Sequence, residues 1–322
     1  MDMRAGRILC AALLLAGALA PARVSAEACY NVGAWNIEHF NDSARRGFPE
    51  EPGAYPPRGS SEITALARTI RDVVDAKILA LSEINGVPGK RQSVELANLT
   101  RALGPTWEYR IAVSGSKQRV ALIWDTRFAR LTGEAHEIFV AEKRIDDADI
   151  FARDPLIGHF TLLEDGAPRN DLVLVALHLA SGQRRTANHD AAMRRLRGEL
   201  RALRGKVDAY PGDEDDVILA GDLNASAFDR YRESFFVEFD RGNWKLLAEE
   251  GYPRTRFNGS QIDYLIATTR RGRQKGLVGE ELTAQPARVW SGLAANGDKA
   301  FRKKLSDHFP VTTCVKVIAD TD

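Results

Sequence analysis

Val217–Ser226, V-I-L-A-G-D-L-N-A-S, sets a short apolar run directly before an acid and an amide. Consecutive apolar residues between an Asp/Glu-rich segment and a glycine predict a fully buried strand, with Asp222 and Asn224 falling where that strand runs into loop. Side chains alternate along extended backbone, so Asp222 and Asn224 share a face while Leu223 turns back into the core. Alone, G-D-x-N is equally a turn with capping chemistry. Here the pattern recurs. Asn36 closes the run from Asn31, Glu83 follows Ile78–Ser82, His178 follows Leu172–Leu177, Asp263 opens the run to Thr268, and Asp307-His308 precede Phe309–Val317. Buried strands that each deliver a polar residue at one end require a layered fold with a site between the layers.

The intervening segments fit that architecture. Asn41–Ser61 is rich in Pro, Gly and charge, too long for a plain connection, and is a candidate lid or binding loop. Ser60 or Ser61 then offers an N-cap, and Ile63, Leu66, Ala67, Ile70, Val73 and Val74 follow at helical spacing. Glu95–Leu103 is a short helix closed by Gly104-Pro105, and Tyr109–Val113 with Arg119–Trp124 forms a hairpin through S-G-S-K. Pro155–Leu163 is a further strand, and Arg184–Leu203 an Arg-rich amphipathic helix. Helices alternating with strands, together with hairpins, indicate an α/β class with mixed sheets in one domain.

The N-terminus has a basic start, an apolar run too short to span a bilayer comfortably, and the small-x-small pattern Val24-Ser25-Ala26. This predicts a signal peptide over residues 1–26, cleaved after Ala26, and a secreted or periplasmic domain over 27–322. No later segment is apolar for long enough to cross a membrane. Loss of Arg4, Arg7, Arg23 and Asp2 turns a formal charge of +1 into −1, so attraction to a polyanion must come from patches such as Arg194–Lys206, Arg270–Lys275 and Arg302–Lys304. Cys10 leaves with the leader, and the remaining Cys29 and Cys314 suggest one disulfide.

Collected, the strand-end residues are Asn36, Glu83, His178, Asp222, Asn224, Asp263, Asp307 and His308. Carboxylates and amides with imidazoles but no thiolates suit a hard cation such as Mg²⁺ or Mn²⁺ better than zinc. Two histidines add what phosphoester hydrolysis needs: a base for water and a donor for the phosphate or leaving oxygen. No G-x-S-x-G, P-loop or G-x-G-x-x-G pattern occurs, which counts against a nucleophilic-serine hydrolase and nucleotide-binding folds.

Six segments in order, W-N-I at 35–37, L-A-L-S-E-I at 79–84, L-H-L-A-S at 177–181, G-D-L-N-A at 221–225, I-D-Y-L at 262–265 and S-D-H-F-P-V at 306–311, resemble the endonuclease/exonuclease/phosphatase superfamily, whose namesake is the deoxyribonuclease I-like fold. The resemblance implies a four-layer α/β sandwich, two mixed β-sheets face to face with helices on the outer faces. It implies Glu83 as principal metal ligand with Asn36 and Asp307 completing that shell, and Asp222 and Asn224 as the pair that positions water and steadies the phosphorus. It further implies His308 as general base oriented by Asp263, His178 at the phosphate or leaving group, and Arg153 as a phosphate contact. Ser82 stands where the family often has Gln, and Gln118 is the nearest match to a Glu that orients the second histidine in the nuclease branch. The family's adjacent first and last strands would bring Cys29 and Cys314 together.

The expected protein is therefore a secreted, monomeric, Mg²⁺- or Mn²⁺-dependent phosphodiesterase without membrane insertion, a nuclease acting on DNA or RNA. The alternatives are a phosphatase or a lipid phosphodiesterase of the same fold, sphingomyelinase-like or inositol-phosphate-type, and an inactive exported binding or effector protein. His39, His136, His159 and His189 match no motif and read as surface or ordinary polar residues. Trp35 and Trp124 read as core, and Asp215 and Asp216 as solvated linker charges.

Overall fold

Each buried apolar run becomes a strand in one of two sheets, and the polar residues collect where those strands end. The computed structural model describes residues 28–40, 58–87, 89–115, 118–137, 144–145, 148–149, 151, 153–179, 216–224, 244–249, 251–257, 259–271, 274–278, 281–282 and 286–319. The leader, the Asn41–Ser61 loop as far as residue 57, the Arg184–Leu203 helix and the Arg194–Lys206 patch lie outside these residues.

With strands numbered in chain order, the first sheet runs β16 (Arg288–Val289), β17 (Val311–Val317), β1 (Ala28–Phe40), β2 (Ala76–Ile84), β4 (Arg119–Asp125), β3 (Trp107–Ile111). Only the β1–β2 pair in it is parallel. The second runs β12 (Trp244–Leu246), β13 (Asp263–Thr268), β11 (Val217–Asp222), β10 (Ala167–His178), β9 (Leu156–Glu164), β5 (Ala129–Leu131), with β6 (His136–Glu137) also on β9 and only β10–β11 parallel. Two-residue ribbons, β7 (Arg144–Ile145) with β8 (Ala148–Asp149) and β14 (Arg270–Arg271) with β15 (Gln274–Lys275), stand apart from both sheets.

Alternation sorts the side chains of the first sheet into two cores. Val32, Ala34, Ile78, Ala80 and Leu122 face Leu174, Ala176, Ile218, Ala220 and Leu265 of the second sheet. Their sequence neighbours Trp35, Leu79, Leu81 and Ile123 face outward and are covered by α1 (Ser60–Arg68), α2 (Val94–Leu103) and α3 (Asp298–Lys304) through Leu66, Leu96, Leu99 and Phe301. The architecture is the four-layer α/β sandwich, and Trp35 and Trp124 are both core.

Local deviations have local causes. The N-cap of α1 is Gly59, one residue before the expected serines, because the Glu62 carboxylate reaches back to its N–H at 2.6 Å. The helix then widens into a π-turn over Thr69–Val73, closed by Val74 N–H to Thr69 O at 2.9 Å. The wider turn rotates Val73 off the buried stripe, leaving it 48% exposed while Val74 is buried. Asp216 is not a solvated linker charge: it is 2% exposed, since Val173 N–H binds its carbonyl at 2.8 Å and draws it into the sheet at the start of β11.

Cys29 and Cys314 form a disulfide with Cα atoms 5.5 Å apart. The antiparallel β1–β17 pairing sets them one step apart diagonally, with Cys29 opposite Lys316 and Asn31 opposite Cys314. The bond closes a separation of 285 residues. Chain-entropy arguments for so long a loop give roughly 5 kcal/mol as an upper bound. Replacing both cysteines with serine is expected to lower the unfolding free energy by up to that amount, measured by denaturant titration, and a chain lacking residues 1–26 should show no reactive thiol.

Candidate active site

The site opens where β1, β2, β10 and β11 end and where the chain enters β13 and β17. Three of its residues sit on backbone that non-glycine residues rarely adopt: Glu83 at φ 64°, Asn224 at φ 51° and His39 at φ 45°. Such positions persist only where their surroundings over-determine them. Between the pairs Asn36↔Ser82 and Phe40↔Ile84, three residues of β1 stand against Glu83 alone, so β1 bulges around it.

Asn36 is the hub. Its Nδ2 donates to Glu83 Oε1 and to Asp222 Oδ2, each at 3.0 Å, tying the first sheet to the second. His178 Nε2 lies 3.9 Å from Glu83 Oε1 and 3.7 Å from Asp222 Oδ2. His308 Nε2 lies 3.9 Å from that same Asp222 oxygen and 3.7 Å from Asp307 Oδ1. Its Nδ1 meets Asp263 Oδ2 at 2.8 Å, which assigns the ring proton to Nδ1 and turns Nε2 toward the pocket. Backbone contacts fix the histidine: Trp35 Nε1 donates to His308 O at 2.8 Å, and Ser306 Oγ accepts His308 N–H at 3.1 Å while donating to Asn36 O at 2.6 Å.

The structure thus gathers Asn36, Glu83, His178, Asp222, Asp263, Asp307 and His308 into one buried cluster. Asn224 adjoins it: its N–H binds Asp222 Oδ1 at 2.7 Å, and its amide Nδ2 donates to Leu179 O at 2.8 Å. Arg153 is turned to the protein, with Nη1 on the carbonyls of His178 and Leu179 at 3.2 and 3.1 Å and Nη2 on Gln118 Oε1 at 2.5 Å. The Gln118 side chain is therefore engaged by Arg153, where the resemblance would have it orient His178.

Burial and charge push the two histidines apart. For His308 burial favours the neutral ring, but Asp263, by charge and hydrogen bond, together with Asp222 and Asp307, outweighs it and pushes the ring up to about 10. For His178 burial, then the charges of Arg153 and His308, hold it well below the usual range. Asp222 is pushed up to about 7 by burial and by the Asp263 charge. Opposed shifts in adjacent titratable groups mark acid and base partners.

A divalent cation fits this donor set. Asp222, Asp263 and His308 each present a potential ligand atom, all within 4.8 Å of one another, so that this buried group could hold a metal ion. Glu83 and Asp307 add two more carboxylates, and the upward push on Asp222 is the strain that a bound positive charge relieves.

Two site residues escape a reading of the sequence. His39 is not an ordinary surface histidine, since its N–H donates to Glu83 Oε2 at 3.0 Å and its Nε2 lies 3.5 Å from that oxygen. Arg256 grips Asp307 Oδ2 through Nε and Nη2 at 2.9 and 2.6 Å. The available signals were weak: in I-E-H-F two polar residues in succession break the alternation of β1 and hint at a bulge, while Arg256 is one arginine among many.

The sequence model of the Endonuclease/Exonuclease/phosphatase family matches residues 33–308. No curated protein matches the chain in sequence. Among solved structures, the endonuclease/exonuclease/phosphatase from Bacteroides vulgatus superposes with a TM-score of 0.58 at 12% identity, covering 90% of this chain and 100% of the other. D. rerio TDP2 complexed with single strand DNA product gives 0.56 at 11% identity, covering 89% and 99%. The mannosyl-6-phosphatase Bt3783 from Bacteroides thetaiotaomicron VPI-5482 gives 0.54 at 15% identity, covering 89% and 99%. At such identities the likeness is one of fold. The matched span begins before Asn36 and ends on His308, enclosing every residue around the pocket, and the chain belongs to the endonuclease/exonuclease/phosphatase family.

Proposed function

We propose that the protein is an exported, divalent-metal-dependent phosphodiesterase that cleaves DNA or RNA. The observation that carries this reading is the buried pocket in which His178 and His308, driven to opposite protonation tendencies, flank Asp222 beside Glu83 and Asn36. Glu83, Asn36 and Asp307 would hold Mg²⁺ or Mn²⁺, which supplies positive charge against the charge that builds on phosphorus. With a bound cation offsetting the carboxylates that hold His308 protonated in the metal-free protein, its Nε2 would take the proton of the attacking water, and Asp263 would support the charge the ring acquires. Asp222 and Asn224 position that water. His178, kept neutral, presents Nε2 to the phosphate or the leaving oxygen, and Arg153 adds positive charge beside it.

The choice of a polymer rests on α3. Arg302, Lys303 and Lys304 form its exposed last turn, directly before Asp307-His308, where basic side chains could hold phosphates that neighbour the scissile one. Arg302 is partly engaged already, by an ion pair with Glu38 and over the Phe257 ring at 5.0 Å. The fold itself is neutral on this point, since one solved relative holds a single strand DNA product and another is a sugar phosphatase. Cleavage of DNA and RNA with added Mg²⁺ or Mn²⁺ should weaken as salt rises. Replacing Arg302, Lys303 and Lys304 with alanine should lower the salt slope by about 0.9 per lost phosphate contact. A salt-insensitive enzyme that ignores both polymers but hydrolyses sphingomyelin or an inositol phosphate would overturn the substrate assignment.

The proposal includes removal of residues 1–26 on export and a single domain over 27–322 acting as a monomer. The Cys29–Cys314 bond supports an oxidising compartment. N-terminal sequencing of the exported protein should begin at Glu27.

A further inference from the structure

The Ile37–Phe40 bulge is pinned from several sides. Arg58 Nη2 donates to the carbonyls of Ile37 and Glu38 at 2.8 and 3.1 Å, Asn36 Oδ1 accepts Glu38 N–H at 3.0 Å, and Arg302 pairs with the Glu38 carboxylate. Both Glu38 and His39 are held in the left-handed region, at φ 44° and 45°. What this achieves is the placement of one imidazole. His39 Nε2 comes to 3.5 Å from Glu83 Oε2, with the side chain 20% exposed, while the other Glu83 oxygen faces Asn36 and His178. The two Glu83 oxygens thus look toward different partners, and the outer one shares its side of the pocket with a ring nitrogen.

A site built only for Mg²⁺ gains no favoured ligand from that nitrogen. Mg²⁺ favours oxygen donors and retained water, whereas Mn²⁺ shares that taste for carboxylates but, as a first-row transition ion, accepts an imidazole nitrogen more readily than Mg²⁺ does. Resting on the assignment of Glu83 as a metal ligand, we infer that His39 is a nitrogen ligand of the cation that Glu83 holds, and that it makes the site take Mn²⁺ in preference to Mg²⁺. The bulge is the device that brings this ligand to a position where regular strand geometry would have turned it away.

The test uses the metal-free full-length domain, titrated separately with Mn²⁺ and Mg²⁺ by calorimetry, with electron paramagnetic resonance of bound Mn²⁺ read for nitrogen hyperfine coupling. His39→Ala and His39→Gln are compared with the wild type. The expected result is that both variants lose Mn²⁺ affinity by on the order of tenfold or more, change little toward Mg²⁺, and show weaker nitrogen coupling than the wild type. The glutamine variant keeps a hydrogen-bonding side chain beside Glu83. If it retains full Mn²⁺ preference and unchanged nitrogen coupling, the ring only steadies the carboxylate and the ligand assignment fails. Equal losses toward both metals likewise overturn it. A wild-type protein that binds neither ion removes the assignment of Glu83 along with it.

Discussion

Glu83→Ala is expected to lower turnover by at least about a hundredfold, and chelator to abolish it in the unaltered protein, because the charge that a cation sets against the phosphorane is worth several kcal/mol. The carboxylate is also a structural junction, receiving Asn36 Nδ2 on one oxygen and His39 N–H on the other. A pure deletion would therefore mix lost charge with a relaxed bulge. Glu83→Gln separates the two, since an amide of the same shape keeps one acceptor oxygen but carries no charge. If the loss comes from the cation, glutamine should be nearly as inactive as alanine while the melting temperature stays close to that of the wild type. Both variants should also lose the rise in melting temperature that Mg²⁺ or Mn²⁺ gives the wild type. Full turnover in chelator would sink the metal-dependent reading, whatever the variants do.

His308→Ala should cost about 10²- to 10⁴-fold in the chemical step, the usual weight of a positioned base, and Asp263→Asn less. The 2.8 Å contact with Asp263 is what holds the ring proton on Nδ1. The same contact makes a prediction that needs no substrate. Asp263 supplies the largest of the influences that push His308 up to about 10, so in metal-free Asp263→Asn burial should prevail and the ring should titrate lower, as followed by NMR. Because the folded ring binds its proton more tightly than an ordinary histidine at 6.5, the pair's contribution to stability is fully present below that pH and is lost as pH rises through about 10. Should His308→Ala turn over almost normally while His178→Ala does not, the two histidines have been assigned in the wrong order.

The residues legible in the sequence are those whose placement follows from burial along a single strand. Asp222 and Asn224 stand beyond an apolar run, and so do Glu83 and His178; alternation and strand length suffice to bring them to one edge. The residues that were not legible depend on departures from regularity or on distant partners. His39 needs the bulge opposite Glu83, Val73 leaves the buried stripe because a π-turn changes the helical phase, and Asp216 is buried by a pairing that begins one residue earlier than its polarity suggests. Arg256 reaches Asp307 across 51 residues, a contact that no local pattern announces. The disulfide is legible for a different reason, since only Cys29 and Cys314 lie beyond the expected leader.

The pairing of β1 with β17 has a consequence for when the enzyme exists at all. Asn36 belongs to the first strand made, His308 lies just ahead of the final one, and the Trp35–His308 bond joins positions 273 residues apart. Contacts of such sequence separation form late, after the loop-closure entropy of the whole intervening chain has been met. A nascent polypeptide therefore carries the acidic half of the site without its base, and no chain cut short of His308 has a complete one. Hydrolytic power arrives only when the C-terminal strand docks and the bond between Cys29 and Cys314 can close over it.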